Sequence, residues 1–146
     1  PRAISDRLAE TIAGTGGVIG ITAISDFQVR NASNAAAHGK QSPQATLDDH
    51  LNQYDHLKRL VGADHVGLGP DFIWGWGDDY VHNAEDSMAF PPEALSERPS
   101  TTEGFEDISR LPNLIEGLRG RGWTEPELDK VLGANWLRVY EKVWGS

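Results

Sequence analysis

Two short apolar segments, residues 18–24 and 65–69, constrain the fold of this chain more than any other feature of its sequence. The first is rich in β-branched residues and the second in apolar residues and glycine, a pattern typical of strands buried on both faces. Each follows a segment in which apolar residues recur at helical spacing. The order helix, strand, helix, strand predicts right-handed βα units and a parallel sheet, and therefore an α/β fold.

The helix boundaries follow from local signals in the sequence. Ser5 is a candidate N-cap of the first helix, and Thr46 with Asp49 fits a capping box at the start of the second. Two further helices are predicted near the C-terminus, one over about residues 112–119 and one that begins after the Thr124 cap. The apolar faces comprise Ile4, Leu8 and Ile12; Leu47, Leu51, Tyr54, Leu57 and Val61; and Leu128, Val131, Leu132, Trp136, Val139 and Val143.

Two strands do not make a complete sheet for a chain of 146 residues, because each would leave an unpaired edge. We therefore expect the remaining strands to come from another part of the protein. Residues 25–45 and 73–112 show no regular period and are predicted to be loops. The second follows a strand directly, and loops of that length are usually lids or binding segments. Its Trp74 could line a substrate pocket, or equally anchor the loop to the body of the fold.

Composition excludes some classes of partner and chemistry. The formal net charge is −9, which argues against nucleic acid because its phosphates would be repelled. The chain has no cysteine, so disulfides and thiolate chemistry are excluded. No apolar run approaches the ~20 residues needed to span a bilayer. The cellular compartment stays open.

Asp71 is the strongest candidate for a catalytic residue. It follows the carboxyl end of the second predicted strand, which in a parallel barrel is the catalytic face, and a carboxylate there can accept and return a proton. Gly67 and Gly69 would let a ligand or another group approach that strand closely. An aspartate that merely caps a turn is the competing interpretation. Arg2 could bind a substrate carboxylate through a bidentate fork, although a lone arginine is more often a solvated charge.

The histidines do not form a metal site by sequence spacing. His50 and His56 are six residues apart on one predicted helix and therefore lie on different faces. His65 begins a strand, at the end opposite the catalytic face. The remaining two histidines fall in predicted loops without a second ligand at zinc spacing. No metal ligand is assigned to this chain.

Eight segments form a joint pattern that runs nearly end to end along the chain. They are PRAISDRL (residues 1–8), GGVIGI (16–21), DHL (55–57), VG (61–62), DHVGLGPDF (64–72), EGFEDIS (103–109), LPNL (111–114) and GANWLRV (133–139). In this order they resemble the membrane (renal) dipeptidase family of zinc peptidases. The resemblance covers the C-terminal part of that family's barrel.

The resemblance implies that residues 1–146 are the C-terminal portion of one (β/α)8 TIM-type, amidohydrolase-like barrel domain. It implies a binuclear zinc centre that hydrolyses dipeptides, with ligands upstream of this chain. Asp71 would protonate the departing amine, Arg2 would bind the substrate carboxylate, and Phe72 and Trp74 would contact substrate. The missing N-terminal part of the barrel would be a partner, and a homodimer is a further expectation. A non-catalytic barrel with a binding or assembly role, or an amidohydrolase for another amide or ester, are the alternatives.

Overall fold

A computed structural model describes residues 4–28, 44–72 and 101–145 of the chain. Its sheet pairs β1 (Ile19–Ile21) with β2 (Val66–Leu68) in parallel, with Ile19 opposite Val66 and Ile21 opposite Leu68. The predicted α/β arrangement with parallel strands is confirmed, and both strands are shorter than predicted. The described ranges contain no closed barrel, so the expected eightfold architecture is not itself visible in them.

The helices before the two strands begin at their predicted caps. Helix α1 (Asp6–Gly14) has Ser5 as N-cap, whose side chain accepts a hydrogen bond from the Leu8 N–H. Helix α3 (Leu47–Val61) begins with the predicted capping box between Thr46 and Asp49. Hydrogen bonds from Thr46 hold the pKa of Asp49 below its usual range.

Two details of the first half correct the prediction. A short helix, α2 (Ser25–Gln28), follows β1 after residues 22–24, where the sequence was interpreted as loop. Its first residue, Ser25, is fully buried and accepts a hydrogen bond from the Ala45 N–H, a contact between distant positions that the sequence does not show. His65 does not begin the strand. It ends a 3-10 turn (Ala63–His65) before β2, and its Nδ1 lies 2.8 Å from the carbonyl oxygen of Gly17.

The C-terminal part is helical. A 3-10 turn (Ile108–Arg110) precedes α4 (Leu111–Gly120), so the helical region begins before residue 112, inside the predicted loop. The long helix predicted after Thr124 is divided into α5 (Glu125–Asp129) and α6 (Asn135–Trp144). The segment between them, Lys130–Ala134, contains a kink at Gly133, whose backbone is not helical. None of the helices described is both long enough and apolar enough to cross a membrane.

The core lies between the sheet and helices α3, α4 and α5. Its largest fully buried apolar side chains include Tyr54, Phe105, Leu114 and Leu118. The predicted face of α3 is buried, but that of α1 is not: Ala9 is inside, while Ile4 and Leu8 are 41% and 46% exposed. Val143 of the predicted C-terminal stripe is also exposed, at 67%. The described residues supply no element that covers these side chains, so helical spacing alone misjudged their burial.

An ionic network fixes α3 against the turn between α4 and α5. Arg121 Nη1 donates to Asp55 at 2.7 Å and to Asn52 at 2.8 Å, and Trp123 Nε1 donates to the other Asp55 oxygen at 2.8 Å. Lys58 pairs with Glu127 at 2.7 Å, and this partner lowers the pKa of Glu127 to about 2. These contacts therefore hold α3, and the core side chains on it, against the turn between α4 and α5.

Candidate active site

Asp71 lies at the carboxyl end of β2, three positions after Leu68, and its side chain is exposed. Its backbone has φ 62°, in the left-handed region, and it is the only non-glycine residue described with a positive φ. Aspartate tolerates that region better than most residues, and such strained positions cluster at active sites. The structure therefore presents a carboxylate at the end of the sheet where α/β proteins bind ligands.

The ends of the two strands are joined directly before Asp71. The carbonyl oxygen of Pro70 accepts a hydrogen bond from the Ala23 N–H at 2.9 Å and one from Thr22 Oγ1 at 3.5 Å. Residues that follow β1 and residues that follow β2 are thus placed side by side. A ligand at this edge would meet both.

Phe72, the residue after Asp71, is half-buried and packs on Phe105. The two rings lie 5.1 Å apart at 67°, an edge-to-face contact, and Phe105 in turn lies 5.3 Å from the ring of His50. This contact uses the ring of Phe72 to anchor the segment after β2. Its predicted contact with substrate stays a prediction.

Thr102 lies at the centre of a buried hydrogen-bond cluster that the sequence did not reveal. Its N–H and its Oγ1 both donate to the Ala23 carbonyl oxygen, at 2.9 and 2.8 Å. Gln28 Nε2 donates to Thr102 Oγ1 at 2.8 Å and to the Thr22 carbonyl oxygen at 2.9 Å. No local pattern marks this threonine, because its partners lie more than 70 positions earlier in the chain.

Of the two predicted uses of Gly67 and Gly69, close approach by another group of the protein is the one that the structure shows. A Cβ on Gly67 would lie 2.6 Å from Trp136 Nε1 and 2.7 Å from Val18 Cγ1, and a Cβ on Gly69 would lie 2.9 Å from the Gly20 Cα. Trp136 donates from Nε1 to the Leu68 carbonyl oxygen at 3.0 Å. The space at Gly67 is therefore taken by the protein's own indole and not by a ligand.

Three histidines fall in the described residues, and each lies in a different environment. His56 is exposed and pairs with Asp6 at 2.9 Å, and His65 contacts Gly17 at the amino-terminal side of the sheet. His50 is fully buried, which confirms that it does not share a face with His56. Over residues 4–28, 44–72 and 101–145 no three histidine, aspartate or glutamate side chains are grouped closely enough to hold a metal ion. These residues alone do not fit a metal centre.

Arg2 and Trp74, the other two predicted site residues, lie outside the described residues. Their proposed contacts with substrate therefore rest on the sequence alone.

His50 is a buried base without a hydrogen-bond partner. Within the described part of the chain neither ring nitrogen is paired, and the Tyr54 hydroxyl one turn away is also unpaired. Burial lowers the pKa of His50 to about 4 and raises that of Tyr54. Both groups are therefore neutral at pH 7, and the histidine serves the core as an aromatic ring.

We expect His50 to make the protein acid-sensitive. Burial lowers its pKa from the ordinary 6.5 of an unfolded chain to about 4 in the folded state, so the unfolded chain binds a proton that the folded chain excludes. The contribution of neutral His50 to the free energy of unfolding is complete above pH 6.5 and is lost as the pH falls towards 4. The change amounts to roughly 3 kcal/mol. Urea unfolding at pH 7 and pH 4.5 should show that His50→Leu loses less stability than the parent.

The matched control is His56→Gln, which changes an exposed histidine on the same helix and should retain the acid sensitivity of the parent. Equal acid sensitivity in His50→Leu and the parent would exclude His50 as its source.

The structural and sequence relatives include a dipeptidase, an amidohydrolase and an uncharacterized protein. A sequence profile described as membrane dipeptidase (peptidase family M19) matches residues 1–92 and 95–144. An uncharacterized protein in the pqqA 5′ region of Klebsiella pneumoniae is 32% identical over 146 residues, which are 99% of this chain and 42% of that protein. A solved amidohydrolase from Pseudomonas aeruginosa gives a TM-score of 0.78 at 30% identity, over 100% of this chain and 42% of the other. The solved dipeptidase AC, a metallo peptidase of family M19, gives 0.69 at 26% identity, over 99% and 34%.

The chain is therefore an α/β member of the peptidases. It belongs to the membrane dipeptidase family, peptidase family M19. It spans less than half the length of these relatives.

Proposed function

We propose that this chain is the C-terminal part of a (β/α)8 barrel that hydrolyses dipeptides with zinc, and that Asp71 is its proton donor and acceptor. The observation that carries the proposal is the position of Asp71: exposed, in left-handed backbone, and directly past two joined strand ends. Membership of the M19 family supplies the reaction class.

The open edge of β1 supports completion of a barrel by an upstream segment. A cavity of about 290 Å³ lies along that strand. Four consecutive residues, 19 to 22, line the cavity, so it follows the edge of the strand and not one of its faces. Leu8 on the neighbouring helix α1 and Ile4 just before that helix are exposed. Because the relatives are more than twice as long as this chain, we assign this space to an upstream strand of the same barrel. We refer to residues 1–146 together with that upstream part as the completed barrel.

In the completed barrel, each site residue of this chain has one task. The Asp71 carboxyl group would give its proton to the nitrogen that leaves as the peptide bond breaks, since an amine leaves far more readily than its anion. Arg2 would hold the free carboxylate of the dipeptide through two parallel hydrogen bonds, which selects for short substrates. Phe72 and Trp74 would provide apolar contact. The ligands of the zinc ions would lie upstream of this chain, as the resemblance to the dipeptidase family implies.

A second candidate is an amidohydrolase for another amide or ester. It is favoured by the Pseudomonas aeruginosa structure, which is named an amidohydrolase and superposes with a TM-score of 0.78. The two candidates share the fold and the carboxylate and differ in substrate. A panel of substrates separates them.

The completed barrel is expected to bind two zinc ions and to cleave dipeptides but not their C-terminal amides, because amidation removes the charge that Arg2 would bind. Metal analysis and amino acid release before and after chelation would test both. Zinc-dependent cleavage of other amides without cleavage of dipeptides would favour the second candidate. Loss of bound metal without loss of hydrolysis would contradict a metallopeptidase. No hydrolysis of any substrate would indicate a non-catalytic barrel.

A further inference from the structure

We propose that Thr102 is a positioning residue for Asp71, and that it holds both backbone neighbours of that carboxylate from a segment 30 positions further along the chain. The tests of this inference that measure kcat rest on the proposed function. Among the described residues the Asp71 carboxylate itself has no hydrogen-bond partner, so its direction depends on how Pro70 and Phe72 are held.

The first anchor runs through Pro70. Its carbonyl oxygen accepts from the Ala23 N–H at 2.9 Å, and the carbonyl oxygen of the same Ala23 accepts from both the N–H and the Oγ1 of Thr102, at 2.9 and 2.8 Å. Ala23 is 1% exposed and Thr102 is 0% exposed. Thr102 therefore holds Ala23, the residue whose N–H is bonded to the residue before Asp71.

The second anchor runs through Phe72. Its ring packs edge to face on Phe105 at 5.1 Å, and the Phe105 N–H donates to the Thr102 carbonyl oxygen at 3.0 Å. Phe105 is fully buried and rests on His50, whose ring lies 5.3 Å away. The turn that begins at Thr102 thus places the ring on which the residue after Asp71 is packed.

The hydroxyl group of Thr102 determines how the residues of this cluster are arranged. Oγ1 donates to Ala23 and accepts from Gln28 Nε2 at 2.8 Å, so both of its hydrogen-bonding functions are used away from water. A buried hydroxyl that is fully paired in this way specifies one arrangement, because any shift leaves a buried polar group unpaired. Valine has the same shape but cannot make either bond.

The test compares Thr102→Val with Thr102→Ser in the completed barrel. Thr102→Val is expected to lower kcat for a dipeptide about tenfold, with KM changed less than twofold; misplacement of a catalytic group by about 1 Å can cost ~100-fold. Thr102→Ser keeps the hydroxyl and is expected to stay within about twofold of the parent. Leu118 is a fully buried residue of α4 outside this cluster. Leu118→Val therefore controls for a loss of core packing in general and should leave kcat unchanged.

A double variant separates positioning from general damage. If Thr102 acts through Asp71, Thr102→Val should have little further effect on kcat in an Asp71→Asn background. A full tenfold loss in that background, or no loss in the single variant, would overturn the inference. If Thr102→Val does not fold, Gln28→Met leaves Thr102 in place but removes the Nε2 group that donates to Thr102 Oγ1 and to the Thr22 carbonyl oxygen. It should lower kcat several-fold in the same Asp71-dependent way, and an unchanged kcat would overturn the inference.

A structural readout keeps the inference testable if the completed barrel cleaves no dipeptide. Amide hydrogen exchange at Ala23 and Phe105, whose N–H groups form the two anchors, should be about tenfold faster in Thr102→Val than in Thr102→Ser, and exchange within α4 should be unchanged. Equal exchange at these two amides would overturn the positioning role. Absence of hydrolysis in the unmodified protein would refute only the proposed function.

Discussion

Replacing Asp71 with asparagine is expected to lower kcat for dipeptides by about 100-fold or more, within the range that a positioned acid or base contributes. Asparagine has the same shape and tolerates the left-handed backbone at φ 62°, so the fold should be retained. It cannot give up a proton to the departing amine. Steady-state kinetics of the completed barrel, with metal content measured in parallel, would check this result.

Asp64→Asn is the matched control for this substitution. Asp64 is an exposed aspartate on the amino-terminal side of β2, where it pairs with Lys130 at 2.6 Å. Its replacement is expected to change kcat less than twofold. A loss below tenfold in Asp71→Asn, about 1.4 kcal/mol of barrier, would exclude a proton donor at this position.

Replacing Gly67 with alanine is expected to destabilise the protein by about 3 kcal/mol, the upper part of the usual range for an overpacked core. The new methyl group would lie 2.6 Å from Trp136 Nε1 and 2.7 Å from Val18 Cγ1, so it meets the protein on two sides. Displacing the indole would also break its hydrogen bond to Leu68. Urea unfolding measures the change in free energy.

Gly120→Ala is the control for Gly67→Ala, because a Cβ at Gly120, the last residue of α4, has no neighbour within 4 Å. It should be neutral or slightly stabilising, since alanine favours the helix. A loss below about 1 kcal/mol in Gly67→Ala would mean that the indole can move away, and that the strand has room for a ligand after all.

Features that depend on neighbours in the sequence were predictable. Ser5 and the Thr46–Asp49 capping box mark helix starts because a cap and its partner lie within three positions of each other. The two strands were predictable from short apolar runs. The position of Asp71 at the carboxyl end of β2 was predictable because it comes just after the second run. The parallel order followed from the alternation of helices and strands.

Features that depend on distant contacts were not predictable. Thr102 looks like any polar residue in a loop, yet it is bonded to Ala23, 79 positions earlier. The sequence left open whether Gly67 admits a ligand or another group of the protein, because it does not show that Trp136 packs there. The spacing of Ile4 and Leu8 indicated a buried face, but burial also needs an element to pack against, and none of the described residues provides one.

The most direct test of the central claim, proton donation by Asp71, compares a dipeptide with its ester analogue in the parent and Asp71→Asn completed barrels. An alkoxide leaves without prior protonation far more readily than an amine anion, so the ester needs the acid less. We predict a loss of about 100-fold or more for the peptide and a much smaller loss for the ester. Equal losses for the two substrates would contradict proton donation and would limit Asp71 to binding or structure.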